Sequence, residues 1–249
     1  MADLGEAVAF DVPGGPMECP FDHANNPPKT VKQVMPRWEA NDAGALGAAL
    51  GPKYHFTTPL DIKVNGAAHK AQYTPHHLLP GNASWPKTKL RKWVDKRPGN
   101  IKEHIGYDVN GRDNGVSLPG NAGYRATGKS WTAYTSQQAY AFAAMDASSP
   151  TRQFHDAHPA YNDFVTGVLD KIAEKIEARI KNGGTPGCGK KNCAGDTEKK
   201  KPYEPPYELL DRLRNVALRL EGYLVCSPRA WRDPIFTSRF ARAYKLAKK

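Results

Sequence analysis

Long apolar runs are missing from this chain of 249 residues. No stretch approaches the ~18–20 consecutive apolar residues of a membrane-spanning helix, which excludes that class. Cysteine is scarce: Cys19, Cys188, Cys193 and Cys226 are too few and too scattered for a disulfide framework. The start, MADLGEAVAF, has neither a basic head nor an apolar run, so a classical secretory signal is not expected. The period-three glycine of collagen is absent too. What is present is hydrophobic material at 39%, enough for a core in one or two domains. Gly 22 and Pro 21 predict long irregular loops between the regular elements.

The net charge of +11 is unevenly placed. Residues 1–70 carry 6 basic and 8 acidic groups, net −2, and residues 71–130 carry 10 and 4, net +6. Residues 131–182 carry 5 and 6, net −1, and residues 183–249 carry 15 and 7, net +8. Two basic blocks around a near-neutral one suit a polyanion, because Lys and Arg that neutralise phosphates release condensed counterions. A Lys-rich solvated surface has the same signature, so charge alone admits nucleic acid without demanding it.

Residues 1–35 read as irregular, since FDVPGGPMECPFDHANNPP holds five prolines and no usable period. AGALGAAL, within 36–50, predicts a short helix. Residues 54–74 alternate around Asn65-Gly66, a pair that accepts the positive φ angles of a tight hairpin turn. The second strand of that hairpin runs into His76-His77. Helices are predicted at 87–97, 131–147, 160–181, 207–225 and 236–247. The strongest is 160–181, where Val165, Val168, Leu169, Ile172, Ile176 and Ile180 recur at three- and four-residue steps behind a first-turn Pro159. Residues 183–206 are loop by every signal.

Four of the eight histidines fall in two pairs. His76-His77 lies in YTPHHLLPGN, and His155 and His158 lie in RQFHDAHPAY. Adjacent histidines on an extended segment point to opposite sides, so one can bind a metal while the other faces a substrate. Histidines three apart at a helix start share a face and can chelate. Neutral imidazole is both a common transition-metal ligand and a natural base near pH 7. A lone histidine is more often a hydrogen-bonded loop residue; two pairs around a Gly/Asn-rich segment favour a site.

PHHLLPGN, then NGVSLPG from Asn114, then FHDAHPAYNDFV together resemble the AHH branch of the HNH/endonuclease VII nuclease superfamily. The resemblance spans about residues 54–180. It implies an α+β fold, a small ββα-metal nuclease core with additional helices and long irregular loops. The chain then divides into an N-terminal extension at 1–53 and a nuclease core at 54–182, with a helical insertion near 125–150. A basic loop and C-terminal helices follow at 183–249. Pro75 stands where the Ala of the branch name is expected, and about forty residues separate Asn114 from His155. Carried over residue by residue, His76 is a metal ligand and His77 the general base. Asn114 either orients the His77 loop or ligates the metal, and His155 and His158 complete the metal site from the helix. One divalent ion is implied, Mg, Mn, Zn or Ni, with imidazole-rich sites leaning to the transition metals.

The resemblance also implies DNA as substrate, and an antibacterial toxin of type VI effector character. Such a protein would be made in the bacterial cytoplasm, delivered without a Sec signal by a secretion-apparatus carrier, and neutralised by a cognate immunity protein. No membrane partner is expected. Lys87, Lys89, Arg91, Lys92, Lys96 and Arg97, interleaved with Trp85 and Trp93, are the candidate phosphate-contacting surface, or else a solvated helix face. Cys188 and Cys193 could be half a zinc knuckle with Cys19 and His23; free thiols or a surface disulfide are plainer readings. Two other functions fit the same residues. One is an RNase using the same site. The other is a non-catalytic nucleic-acid-binding or adaptor protein whose metal is closed off by four protein ligands.

Overall fold

Asn65 and Gly66 adopt φ angles of 51° and 82°, the left-handed pair that closes a two-residue hairpin. The structure, a computed structural model, describes residues 4–10, 41–94, 101, 105–122, 133–181 and 208–248. The hairpin joins β1 (Leu60–Val64) to β2 (Ala67–His77), with Val64 opposite Ala67 and Leu60 opposite Ala71. β2 is eleven residues long and changes partner midway. From Gln72 to His77 it pairs antiparallel with β3 (Gly115–Gly120), His77 opposite Gly115 and His76 opposite Val116. The sheet order is β1-β2-β3, and β2 delivers its two terminal histidines at one end of it.

The described chain forms two compact units, each assembled from three segments. The sheet belongs to the unit made of residues 42–78, 110–164 and 218–249. There α2 (Ala43–Tyr54) begins at Asp42, whose side chain accepts the Ala45 N–H, and kinks at Gly51-Pro52. It lies close on the sheet at Gly47, where a Cβ would come within 2.7 Å of the His55 ring and 3.2 Å of Pro75. α3 (Tyr134–Ala147) packs against β1, and Tyr140 donates its hydroxyl to Lys70 O at 3.0 Å. α6 (Arg239–Ala247) closes the core formed by Ile62, Val64, Tyr140, Met145, Phe154, Trp231 and Phe240. The C-terminal segment thus contributes to the same core as the hairpin.

The other unit holds residues 1–41, 79–109 and 165–217. It contains α1 (Leu4–Phe10) and most of α4 (Pro159–Lys181) and α5 (Glu208–Leu224). Val168, Leu169, Ile172 and Ile176 of α4 are buried, as are Leu209, Leu213 and Val216 of α5, the stripes that the sequence spacing predicts. Among the described residues no helix is long and apolar enough to cross a membrane.

Three expectations change. α1 is a helix inside a stretch read as irregular; its Leu, Glu and Ala content favours helix over seven residues. The predicted helix at 87–97 is a 3₁₀ turn over Lys89–Trp93. Thr88 starts it, accepting the Leu90 N–H, while Asp170 of α4 takes the Thr88 hydroxyl and the Lys89 N–H at 2.7 and 2.8 Å. These local bonds compete with a full α-turn. The third concerns His155 and His158: α4 starts at Pro159, so both precede the helix instead of sitting on it. A residue before proline is steered away from helical angles, which keeps His158 outside. The remaining helices and the hairpin fall where the sequence places them, giving the expected α+β fold with a small ββα core. Residues 183–206, with Cys188 and Cys193, and residues 19 and 23 lie outside the described residues.

Candidate active site

The alternation of a strand sends His76 and His77 to opposite faces of β2, and the two meet different partners. His76 is 2% exposed, and its ring faces those of His155 and His158 with centroids 4.7 and 5.0 Å away. Its Nε2 is buried and has no hydrogen-bond partner among the described residues. His155 Nε2 and His158 Nε2 lie 3.2 Å apart. One ring nitrogen from each of the three histidines falls within 4.8 Å of the others.

Burial lowers all three imidazole pKa values, and neighbouring histidine charge lowers those of His76 and His155 further. His76 is held well below its ordinary value and His155 is pushed down to about 3. His158 is lowered by burial, opposed by its bond to Asn162 and by nearby Asp156. Near neutral pH the rings are therefore uncharged and carry lone pairs. Ligand nitrogens ~2.0–2.1 Å from a tetrahedral ion are about 3.3 Å apart, close to the His155–His158 separation. An orphaned buried nitrogen, two imidazoles at that spacing and an all-neutral donor set fit a transition metal. His158 Nδ1–H donates to Asn162 Oδ1 at 3.1 Å, which leaves Nε2 as the ligating atom. Tyr161, one turn into α4, donates to Leu78 O at 2.7 Å and ties the exit of β2 to the helix start.

The segment 152–158 has no regular structure of its own, and its placement comes from elsewhere. His155 N–H donates to Pro119 O of β3 at 2.7 Å. Gln153 is fully buried: Nε2 donates to Ile235 O at 3.0 Å, and Oε1 accepts the Thr237 N–H at 2.9 Å. Thr237 O then accepts the Asp156 N–H, and the Thr237 hydroxyl donates to Phe154 O, each at 3.0 Å. Residues near the C-terminus thus set the position of two histidines eighty residues upstream in the chain.

His77 is 6% exposed, and its Nε2 lies 2.8 Å from Asn110 Oδ1. The same oxygen accepts the Asp42 backbone N–H at 3.1 Å. An amide atom that receives a backbone N–H is the oxygen, so Nε2 is the protonated nitrogen of the neutral His77 ring and Nδ1 bears its lone pair. Asn114 is buried; its carbonyl accepts the Leu78 N–H at 2.9 Å, clamping the residue that follows the pair.

Of the residues singled out in sequence, the structure gathers His76, His155 and His158 at one point, with His77 and Asn114 beside them on β2 and at the start of β3. The basic stretch lies in the other unit. There Lys89 pairs with Glu174 at 3.4 Å and Lys92 with Glu177, both on α4, while Lys87 is exposed and Arg91 half-buried. Lys96 and Arg97 lie outside the described residues. Sequence reasoning missed Asn110, Asn162, Gln153 and Thr237. Asn162 was findable four residues after His158, one turn beyond it at the start of α4. Asn110 has the same Asn-Gly signature as an ordinary turn, and Gln153 and Thr237 have no local signal.

A hairpin and a third strand that carry histidines to the head of a helix define an α+β, ββα-type metal-site protein. A family model described as a nuclease family of the HNH/ENDO VII superfamily with conserved AHH matches residues 59–183, half of the chain, and the chain belongs to that family. It is thus a metal-dependent nuclease, acting on nucleic acid. No curated protein and no solved structure matches the chain.

Proposed function

We propose that the protein is an endonuclease that hydrolyses DNA at the His76/His77 centre and serves as an antibacterial toxin held in check by a cognate immunity protein. The observation that carries the site is the split of one dipeptide. His76 turns its orphaned nitrogen toward His155 and His158, while His77 is held through Nε2 by Asn110. His76, His155 and His158 would hold one divalent ion, which when bound supplies Lewis-acid charge to the scissile phosphate and the leaving oxygen.

His77 takes the proton. Its Nδ1 lone pair accepts the hydrogen of the attacking water as the new P–O bond forms and the bond to the leaving sugar oxygen breaks. The proton rests on Nδ1, and the resulting imidazolium keeps its Nε2–H on Asn110. Asn110 is in turn fixed by the first residue of the α2 cap, so the ring is oriented before substrate arrives. The Asn114 carbonyl orients the same loop from the other side, the first of the two roles considered for that residue. The toxin role rests on the resemblance drawn from the sequence and on the danger an unrestrained nuclease poses to its producer.

The test is incubation of the purified chain with plasmid DNA and with total RNA, with EDTA and with Mg, Mn, Zn or Ni restored singly. Cleavage of DNA that EDTA abolishes and one ion restores is expected; cleavage of RNA alone would replace the substrate, and no cleavage with any ion would refute the reading. For the biological role, induction in a bacterial host should arrest growth, and the His77→Ala chain should not. Equal growth of both would remove the toxin assignment.

A further inference from the structure

Lys53 and Arg112 come from different elements and share one aromatic ring. The Arg112 guanidinium carbon lies 4.1 Å from the Tyr54 ring centroid, and Lys53 Nζ lies 5.2 Å from the same centroid. Both side chains are exposed, and neither forms an ion pair with any described residue. The C-terminal end of α2 favours a cation in its last turn, which accounts for Lys53. It does not account for a second cation on the same ring, since two like charges repel and exposed cation–π contacts are weak. Among the described residues nothing forms an ion pair with either cation, and the pair suits an anion.

Its place in the chain says which anion. Arg112 is two residues beyond Asn110, whose oxygen holds His77, and three before Gly115, the register partner of His77. At ~3.3–3.6 Å per residue the Arg112 backbone is within about 7 Å of that of Asn110. The helix that carries Lys53 packs against β2 and against the turn at Arg112–Asn114, so both cations belong to the elements that hold His77.

We propose that Arg112 and Lys53, held on Tyr54, are a docking platform for backbone phosphates of the nucleic acid next to the scissile one. This rests on the reading of His77 as the proton acceptor at the scissile phosphate. A planar guanidinium fits a phosphate through two parallel N–H donors, and the flexible ammonium follows the neighbouring phosphate as a point charge. Nothing in such contacts reads bases, so the platform contributes grip without sequence preference.

The experiment uses the full chain and two readouts. Binding of a fluorescent 20-base-pair duplex is measured against salt in a His77→Ala background, and hydrolysis of bis(p-nitrophenyl) phosphate is measured in the His77 background. The small diester carries one phosphate and so offers no flanking phosphate to the platform. Lys53→Ala/Arg112→Ala should weaken duplex binding roughly 10-fold or more at ~0.1 M salt and flatten the log-log salt slope by about two, at ~0.9 per phosphate. The rate on the small diester should be unchanged, and Arg112→Lys alone should keep the slope. If the alanine variant melts early, Lys53→Gln/Arg112→Gln repeats the measurement with side-chain length retained. An unchanged slope and affinity in a folded double variant would overturn the platform. So would an equal loss on the small diester, which would place these residues at the histidines. A parent chain that cleaves neither substrate would defeat the site reading, while duplex binding would still decide the platform.

Discussion

His76 and His77 ride on a strand whose main chain is held by the ladder to β3, and both can be placed by register alone. His155 and His158 ride on irregular chain, and their positions depend on Pro119 of the sheet and on Gln153 and Thr237 reaching across to each other. The strand pair is easily positioned and meets two sets of partners because alternation separates adjacent side chains. The loop pair can put two rings on one point, which a strand cannot do with neighbours, but it depends on distant buried hydrogen bonds. One region should therefore fail by chemistry and the other by geometry.

The largest separation is expected between His77→Ala and His76→Ala. Loss of a general base should reduce cleavage ~10²–10⁴-fold with metal content intact, whereas loss of His76 should abolish tight metal binding. Metal analysis and rates on the same preparations check this; metal loss in His77→Ala would exchange the two roles. Next, Gln153→Ala should lower stability by about 2–4 kcal/mol, because it strands the buried Thr237 N–H and Ile235 carbonyl. Urea unfolding measures the loss, and metal affinity should fall with it although Gln153 ligates nothing.

Asn162→Ala sharpens the contrast from the metal side. Removing the acceptor of the His158 Nδ1–H should cost ~10–100-fold in metal affinity with little change in melting temperature. Asn110→Ala should do the reverse: a lower kcat with KM and metal content kept, restored by Asn110→Asp, whose carboxylate accepts the same His77 N–H. Titration calorimetry and steady-state kinetics on both variants check the pair. The smallest effect is expected at Lys89 and Lys92. Their exposed ion pairs with Glu174 and Glu177 contribute ~0–1 kcal/mol, and each cation already faces a carboxylate. Replacing both by Ala should flatten the salt slope less than replacing Lys53 and Arg112.

Much of this was legible in the residues themselves. The hairpin announced itself at Asn65-Gly66, and the helices at 134–147, 159–181, 208–224 and 239–247 showed their spacing or their caps. The spacing of the histidines picked out three that the fold gathers at one point. What could not be read were contacts between residues far apart in the chain. Asn110 looks like a turn residue until Asp42 and His77 converge on its oxygen. Lys89 and Lys92 look like a free cationic face until the acids of α4 arrive beside them.

The sequence by itself determined the local periods, the turn and the order of the histidines, because each depends on backbone angles and side-chain spacing within a few residues. Tertiary structure alone decided which nitrogen of His77 keeps its proton and that His155 and His158 face His76. It also decided which cations of the basic stretch meet a carboxylate of α4. Those outcomes depend on pairs separated by tens of residues, and a hydrogen bond or ion pair acts through distance in space, to which spacing along the chain gives no access.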